Sequence, residues 1–436
     1  MAIRNFVYLS LVTLSLLTSM TSQGAPSCTS LFSQKDTSAL VQKDNFAQWA
    51  YWEQQSNLPQ YRKTQAPLQV SYVDVPRSSL EITYLESAGP ELQKIIEKNQ
   101  ETIHYFQHPY NTNPHVPYSD QINPNGSITA YFTASRSLAL RLNNEIYTLK
   151  LPTDQPHGPQ RDYQFNKSSV KEDLLDASNR MSYIERVDRE IGLDPELILA
   201  KEVAMVTDKK TGEGYLFRDL SFMKDGNYYL PALSIPFAGR EIAEFNNEHP
   251  DLFWKKHYAE ILGRSKAKLL LRYGLQMETP NPQNMLIQLD RNLKPTGVLV
   301  FRDLSDTVLI ESIARGLGEH TVLEKDRTMG VENAESLRPY WSNSLWRFDR
   351  AGSNSFTKDT LIGWGRAHNE AYKRELEKAL NIDLSLYNRI DESMDFDYLM
   401  SSDIVQQKLK RYRQFLTSEH QKRTSAEPPL ANIHHK

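Results

Sequence analysis

The chain has 436 residues, more than one hydrophobic core usually organises, so two or three subdomains around a cleft are expected. Its 51 Lys and Arg nearly balance 54 Asp and Glu, for a net charge of -3. That balance excludes a general nucleic-acid coat, keeps any basic site local, and points to small molecules or proteins as partners.

The opening MAIRNFVYLSLVTLSLLTSMTSQGAPS sets Arg4 before an apolar run from Phe6 to Met20, with small residues at Ser22, Gly24 and Ala25. This is the layout of a secretory signal peptide over residues 1–25, and the expected destination is the periplasm or the exterior. The run is short and rich in Ser and Thr for a membrane anchor, and no later segment reads as a stable span. Cys28 is the only cysteine, which excludes an intrachain disulfide and leaves a surface or intermolecular thiol.

Residues 26–125 read as a mostly helical N-terminal region. Within it, FAQWAYWEQQSNLPQY (46–61) reads as short helices packed through Trp and Tyr. PELQKIIEKNQETIHYF (90–106) reads as a helix, with Leu92, Ile95, Ile96 and Ile103 at helical spacing. The Pro-rich QHPYNTNPHVPYSDQINPNG is loop.

An α+β core follows over residues 126–306. SITAYFTASRSLAL and NEIYTLKLPT read as two strands turning at Asn143 and Asn144. In the second, Tyr147, Leu149 and Leu151 alternate with Ile146, Thr148 and Lys150, so Lys150 points away from the Leu pair. Residues 172–205 read as helical with Gly192 as punctuation, and YLFRDLSFM with YYLPALSIPF as a strand followed by a helix entry. A helix from about Pro250 to Tyr273 stops at Gly274, a suitable C-terminal cap. On it, Arg264, Lys268 and Arg272 recur every four residues and read as a solvated basic stripe.

METPNPQNMLIQLD and GVLVF read as strands around a turn at DRNLKP, the second apolar on both faces and therefore interior. Residues 307–424 read as mainly helical, with IGWGRAHNEAYKRELEKALNI and DIVQQKLKRYRQFLTSEH the clearest segments. Residues 425–436 read as a disordered tail. FRDLS occurs at 217 and again at 301, without a flanking period that would make a repeat.

Asn284 heads one strand of the 277–301 pair and Asp303 follows the other. An amide oxygen and a carboxylate are the hard ligands wanted by a divalent metal that bridges nucleotide phosphates. Lys150 could neutralise phosphate charge in the same cleft, and Arg136, flanked by Thr133, Ser135 and Ser137, offers bidentate anion recognition. Taken singly, each also reads as an ordinary turn or surface residue.

Their order adds information. ASRS, YTLKLPTD, DASNRMSYI, YLFRD with LPAL, GLQMETPNPQNMLI and VLVFRDLSD together resemble the succession of motifs in siderophore synthetases of the aerobactin-synthetase type, which work independently of peptide synthetases. The resemblance covers about residues 108–306. It implies a hand-like α+β fold with a kinase-like palm sheet and a mainly helical C-terminal region. It also implies an ATP- and Mg-dependent ligase that adenylates a citrate-type carboxylate and lets an amine or hydroxyl displace AMP.

By position, the resemblance assigns Arg136, Ser137, Lys150, Gln283 and Asn284 to the nucleotide. It assigns Asn284 and Asp303 to the metal, Arg180 to the carboxylate substrate, and Arg302 to bracing the strand end. The sequence departs from the family where Asn281 takes the place of a His, since an amide carries no proton charge, and where Ala134 replaces a Ser. An exported, non-catalytic relative that binds a carboxylate-rich ligand through Arg136 and Arg180 is a second reading. A kinase-like phosphotransferase using Glu278 as base is a third.

Overall fold

The computed structural model describes residues 37–38, 40–56, 66–111, 117–118, 126–134, 136–153, 170–277, 281–319, 328–329, 356–385 and 398–426. The signal-peptide reading, Cys28, Ser135, Glu278 and all but the first two residues of the tail lie outside these residues.

Eight strands form one antiparallel sheet: β1 (Leu68–Pro76), β2 (Leu80–Tyr84), β3 (Thr102–Phe106), β4 (Gly126–Phe132), β5 (Ser137–Leu142), β6 (Glu145–Lys150), β8 (Glu202–Asp208) and β9 (Gly214–Asp219), in the order β2-β8-β9-β6-β5-β4-β1-β3. Only Arg77–Ser79 separate β1 from β2, yet six strand steps part them in that order. Laid flat, six steps of about 4.8 Å would put them about 29 Å apart. The link from Pro76 to Leu80 can reach at most about 15 Å, so the sheet has to curl.

The curl encloses apolar side chains that alternate along each strand. Val73, Val75, Tyr105, Leu138, Leu140, Leu149 and Phe217 are all buried in one cluster. The opposite face of β6 carries Ile146, Thr148 and Lys150, as the alternation predicts.

A second sheet, ordered β10-β12-β13-β7, combines β7 (Leu197–Leu199), β10 (Tyr228–Pro231), β12 (Met285–Leu289) and β13 (Pro295–Phe301). β13 lies between β12 and a parallel β7, which accounts for its unbroken apolar run. Helix α1 (Asn45–Gln55) wedges Phe46 and Trp49 between the sheets, against Ala139 and Ile146 of the large one and Tyr229, Leu286 and Val300 of the small one. The Asp44 carboxylate caps that helix by accepting the Phe46 amide at 3.0 Å.

Among the remaining elements are α2 (Pro90–Ile96), α3 (Lys171–Ile191), α4 (Ile235–Phe245), α5 (Pro250–Trp254), a π turn Lys255–Ala259, α6 (Glu260–Tyr273), α7 (Glu311–Gly316), α8 (Lys358–Leu380) and α9 (Asp403–Ala426). A third small sheet holds β11 (Leu275–Met277), β14 (Thr307–Ile310) and β15 (Thr328–Met329). The architecture is thus mixed α+β, with a large curled antiparallel sheet and a helical C-terminal region. Among the described residues no helix is long and apolar enough to cross a membrane.

Several expectations need correction. The described part of 26–125 contributes β1, β2 and β3 to the large sheet. PELQKIIEKNQETIHYF breaks after Ile96, and its second half is β3, because Ile103 and Tyr105 also satisfy a strand's alternation and pair with β1. SITAYFTASRSLAL is two strands, folded back at Thr133–Arg136. Gly192, at φ 72°, ends α3, and residues beyond it form β7 and β8. At Lys268 and Arg272 the basic stripe is a clamp rather than a solvated face. Lys268 binds Asp194 at 3.1 Å and Glu196 at 2.8 Å, and buried Arg272 donates to the Gly192 carbonyl.

Candidate functional site

The polar face of the large sheet meets the open ends of β12 and β13 in a cleft of about 220 Å³. Ser137, Thr148, Lys150 and Arg218 enter from β5, β6 and β9, and Arg136 from the turn before β5. Asn281, Gln283, Asn284, Arg302, Asp303 and Asp306 enter from the second sheet and its turns. The register explains the first group. Ser137 pairs with Lys150, Thr148 pairs with Arg218, and Glu202 of β8 pairs with Arg218, so these side chains share one face.

The opposite wall is built by two short turns. Asn281 begins the 3-10 turn Pro282–Asn284, its side-chain oxygen accepting the Gln283 amide at 3.1 Å. Asp303 has φ 62° and ψ 49°, a left-handed conformation that Asp tolerates better than most residues. From there its Oδ1 accepts Lys150 Nζ at 3.0 Å and Arg218 Nη2 at 2.5 Å.

Two anchors keep the walls in place. Arg302 presents its fork to Glu53 of α1, with Nη1 to Oε1 at 2.5 Å and Nη2 to Oε2 at 3.0 Å, while Nε donates to the Gln283 carbonyl at 2.8 Å. Trp49 Nε1 donates to the same Glu53 Oε1 at 3.0 Å. On the other side, Arg218 Nε and Nη2 reach Glu202 Oε1 at 3.0 and 2.8 Å.

Electrostatics follow from this packing. Burial alone would raise the Asp303 carboxyl, but the charges of Lys150 and Arg218, with the Lys150 hydrogen bond, hold it far below the usual carboxylate range. For Glu202, burial wins over the pull of Arg218 and pushes the carboxyl up. Burial opposes charge on Arg218, yet Glu202 and Asp303 hold its pKa above the ordinary guanidinium value. Four cationic side chains and three carboxylates line the cleft, so it suits an anion that arrives with a cation.

Arg136, Ser137, Lys150, Asn281, Gln283, Asn284 and Asp303, singled out from the sequence, therefore all line one cleft. Arg180 is not among them. It is 1 % exposed on α3 and donates from Nη2 to the Thr307 carbonyl at 3.0 Å. Glu53, Glu202 and Arg218 escaped the sequence reading. The repeated FRDLS was the available signal, since its two arginines are Arg218 and Arg302 and each lies close before a 3-10 turn.

Asp303, Asp306 and Asn284 supply hard oxygens at one end of the cleft. Among the described residues no group of three or more His, Cys, Asp and Glu side chains could cage a metal. That donor set fits a hard cation that takes its other ligands from a phosphate and water.

No family model matches the chain, and no curated protein matches it. Solved structures do. The ATP-bound aerobactin synthetase IucA from Klebsiella pneumoniae matches with TM-score 0.50 and 15% identity, over 72% of this chain and 65% of that one. Another structure of the same synthetase gives 0.49 and 14% identity, over 72% and 64%. Aerobactin synthetase IucC from the same organism gives 0.47 and 12% identity, over 77% and 65%. The chain spans about 65% of the length of the first of these. At such identity a likeness speaks of fold and leaves the chemistry to the site. Over 72% of its length the chain shares the fold of the ATP-bound aerobactin synthetase IucA.

Proposed function

We propose that the protein is an ATP-dependent ligase of the siderophore-synthetase kind, hand-like in shape, with the nucleotide phosphates in the cleft between the two sheets. The supporting observation is the convergence there of Arg136, Ser137 and Lys150 from one sheet with Gln283, Asn284 and Asp303 from the other.

In this reading a carboxylate oxygen of the substrate attacks the α-phosphorus of ATP, and the bond to pyrophosphate breaks. An amine or hydroxyl then attacks the acyl carbon, AMP leaves with the bonding electrons, and the nucleophile gives up a proton. Lys150 and Arg136 stabilise the charge that builds on the phosphates. Magnesium on Asp303 and Asn284 would neutralise phosphate charge and orient the leaving group. Gln283 and Asn284 are held at the rim by the Arg302 contact to the Gln283 carbonyl, so the nucleotide meets a fixed edge. Asn281, an amide, does not act as a base near neutral pH, so in this reading the nucleophile's proton passes to solvent. With residues 1–25 as a signal peptide, the enzyme would meet ATP only when delivered into another cell's cytosol or retained inside its own.

A second reading rests on Asn281 itself. With an amide where the resemblance expects a His, the cleft would bind a carboxylate-rich ligand without turnover.

Thermal melting of the chain from Ala25 onward separates the two. Mg-ATP at a hundred times its dissociation constant stabilises by about 2.7 kcal/mol, about 3 °C for a protein of this size. Lys150→Ala should abolish the shift, and Asp303→Ala should abolish its dependence on magnesium. A shift untouched by both changes would sink these assignments, and no shift at all would leave the carboxylate binder.

A further inference from the structure

The back wall of the cleft holds two residues that the nucleotide reading does not employ, Arg218 and Glu202. Glu202 is 0 % exposed and sits at a β-bulge, where the β8–β9 register shifts between Glu202 and Ala204. Bulges re-aim side chains and recur beside active sites. Here the result is an acid aimed at the guanidinium from behind, with Oε1 taking both available bonds and Oε2 buried without a hydrogen-bond partner. Buried ion pairs of this kind contribute little net stability, because desolvation of both groups offsets their attraction.

The same Arg218 Nη2 that reaches Glu202 also donates to Asp303. A single oxygen, Asp303 Oδ1, accepts from Arg218 at 2.5 Å and from Lys150 at 3.0 Å. An oxygen between a guanidinium and an ammonium is the arrangement a bound phosphate oxygen adopts. The protein has filled that place with a carboxylate of its own, one whose side chain is 25% exposed at the edge of the cleft.

We propose that Arg218, positioned by Glu202, is an anion-binding residue of this cleft, and that Asp303 is the internal anion occupying Arg218 and Lys150 until a polyphosphate displaces it. The identity of the ligand as a nucleotide rests on the reading above, whereas the exchange itself requires only a polyphosphate. A displaced Asp303 carboxylate needs a new cation. Polyphosphate and a divalent cation should therefore strengthen each other's binding, by the same factor in both directions.

Calorimetric titration with inorganic tripolyphosphate tests the exchange. In chelator, Asp303→Asn should bind tripolyphosphate about tenfold tighter than the native chain, because the competing carboxylate is gone. Adding Arg218→Met to that variant should remove the gain. Adding Glu202→Gln should lower affinity, with partial recovery in Glu202→Asp, which keeps the charge that aims Arg218. Equal affinity of Asp303→Asn and the native chain overturns the proposal, and a gain that survives Arg218→Met overturns the role of Arg218.

Should Asp303→Asn not fold, the native chain decides. Tripolyphosphate should bind tighter with magnesium than without it, and equal or weaker binding overturns the exchange. Tripolyphosphate exchange without any Mg-ATP melting shift would remove the nucleotide reading alone. The converse result would remove the exchange alone.

Discussion

Glu53→Gln should be among the most damaging single changes in this protein. Glu53 and Arg302 have side chains 2% and 8% exposed, and their two bonds at 2.5 and 3.0 Å are nearly cut off from water. Removing the carboxylate leaves the Arg302 guanidinium buried without its counter-charge, a loss of about 3–5 kcal/mol. For a cooperative unit of about 400 residues, that lowers the melting temperature by about 4–6 °C. Differential scanning calorimetry measures it, and a double-mutant cycle identifies its origin. Glu53→Met or Arg302→Met alone should cost a similar amount, but the two together should recover most of it, since an apolar pair has no charge to strand. Because Arg302 also holds the Gln283 carbonyl, Glu53→Gln should weaken Mg-ATP as well. A cost below about 1 kcal/mol, or a double variant as unstable as the sum of the singles, would refute the reasoning.

Other outcomes follow from the packing and the charges. Buried His368 is held neutral by burial and by the nearby Lys266 charge, so its pKa is well below the ordinary value. A group depressed in the fold supports stability above its unfolded pKa, so stability should fall as the pH drops below about 6.5. His368→Gln should flatten that part of the pH–stability curve. Asp303, also depressed, keeps its contribution down to about pH 4 and loses it below, so Asp303→Asn should flatten only the strongly acid limb. Gly263 of α6 lies against the backbone of α8, where an added Cβ would collide with the His368 carbonyl oxygen. Gly263→Ala should cost about 1–3 kcal/mol in urea unfolding while leaving ligand affinity unchanged.

Local signals carried much of this fold, and long-range pairing carried the rest. Period-two alternation located Lys150, the Asn143–Asn144 turn closed β5 onto β6, and the apolar run GVLVF announced an interior strand. These features depend on neighbours within a few residues. β3 was hidden because Ile95, Ile96 and Ile103 fit a helix as well as a strand, and only pairing with β1 decides between them. The same holds in the cleft. Asn284 and Asp303 stand at the ends of adjacent strands, where turn chemistry is visible. Glu53 lies in an aromatic helix that packs through Trp49 and Trp52 while Tyr51 stays exposed, and nothing local connects it with Arg302, 249 residues later. Glu202 and Arg218 acquire meaning only once β8 and β9 are in register.

The short link between β1 and β2 has a consequence during synthesis. β1 and β2 leave the ribosome together, but β2 pairs with β8, and Thr207 follows its partner Glu81 by 126 residues. At 5–20 residues per second, about 6–25 s pass before that partner emerges. Throughout that interval the LEITY segment offers an open hydrogen-bonding edge. Factors that hold nascent chains apart should therefore matter more to the yield of this protein than its finished, curled sheet would suggest.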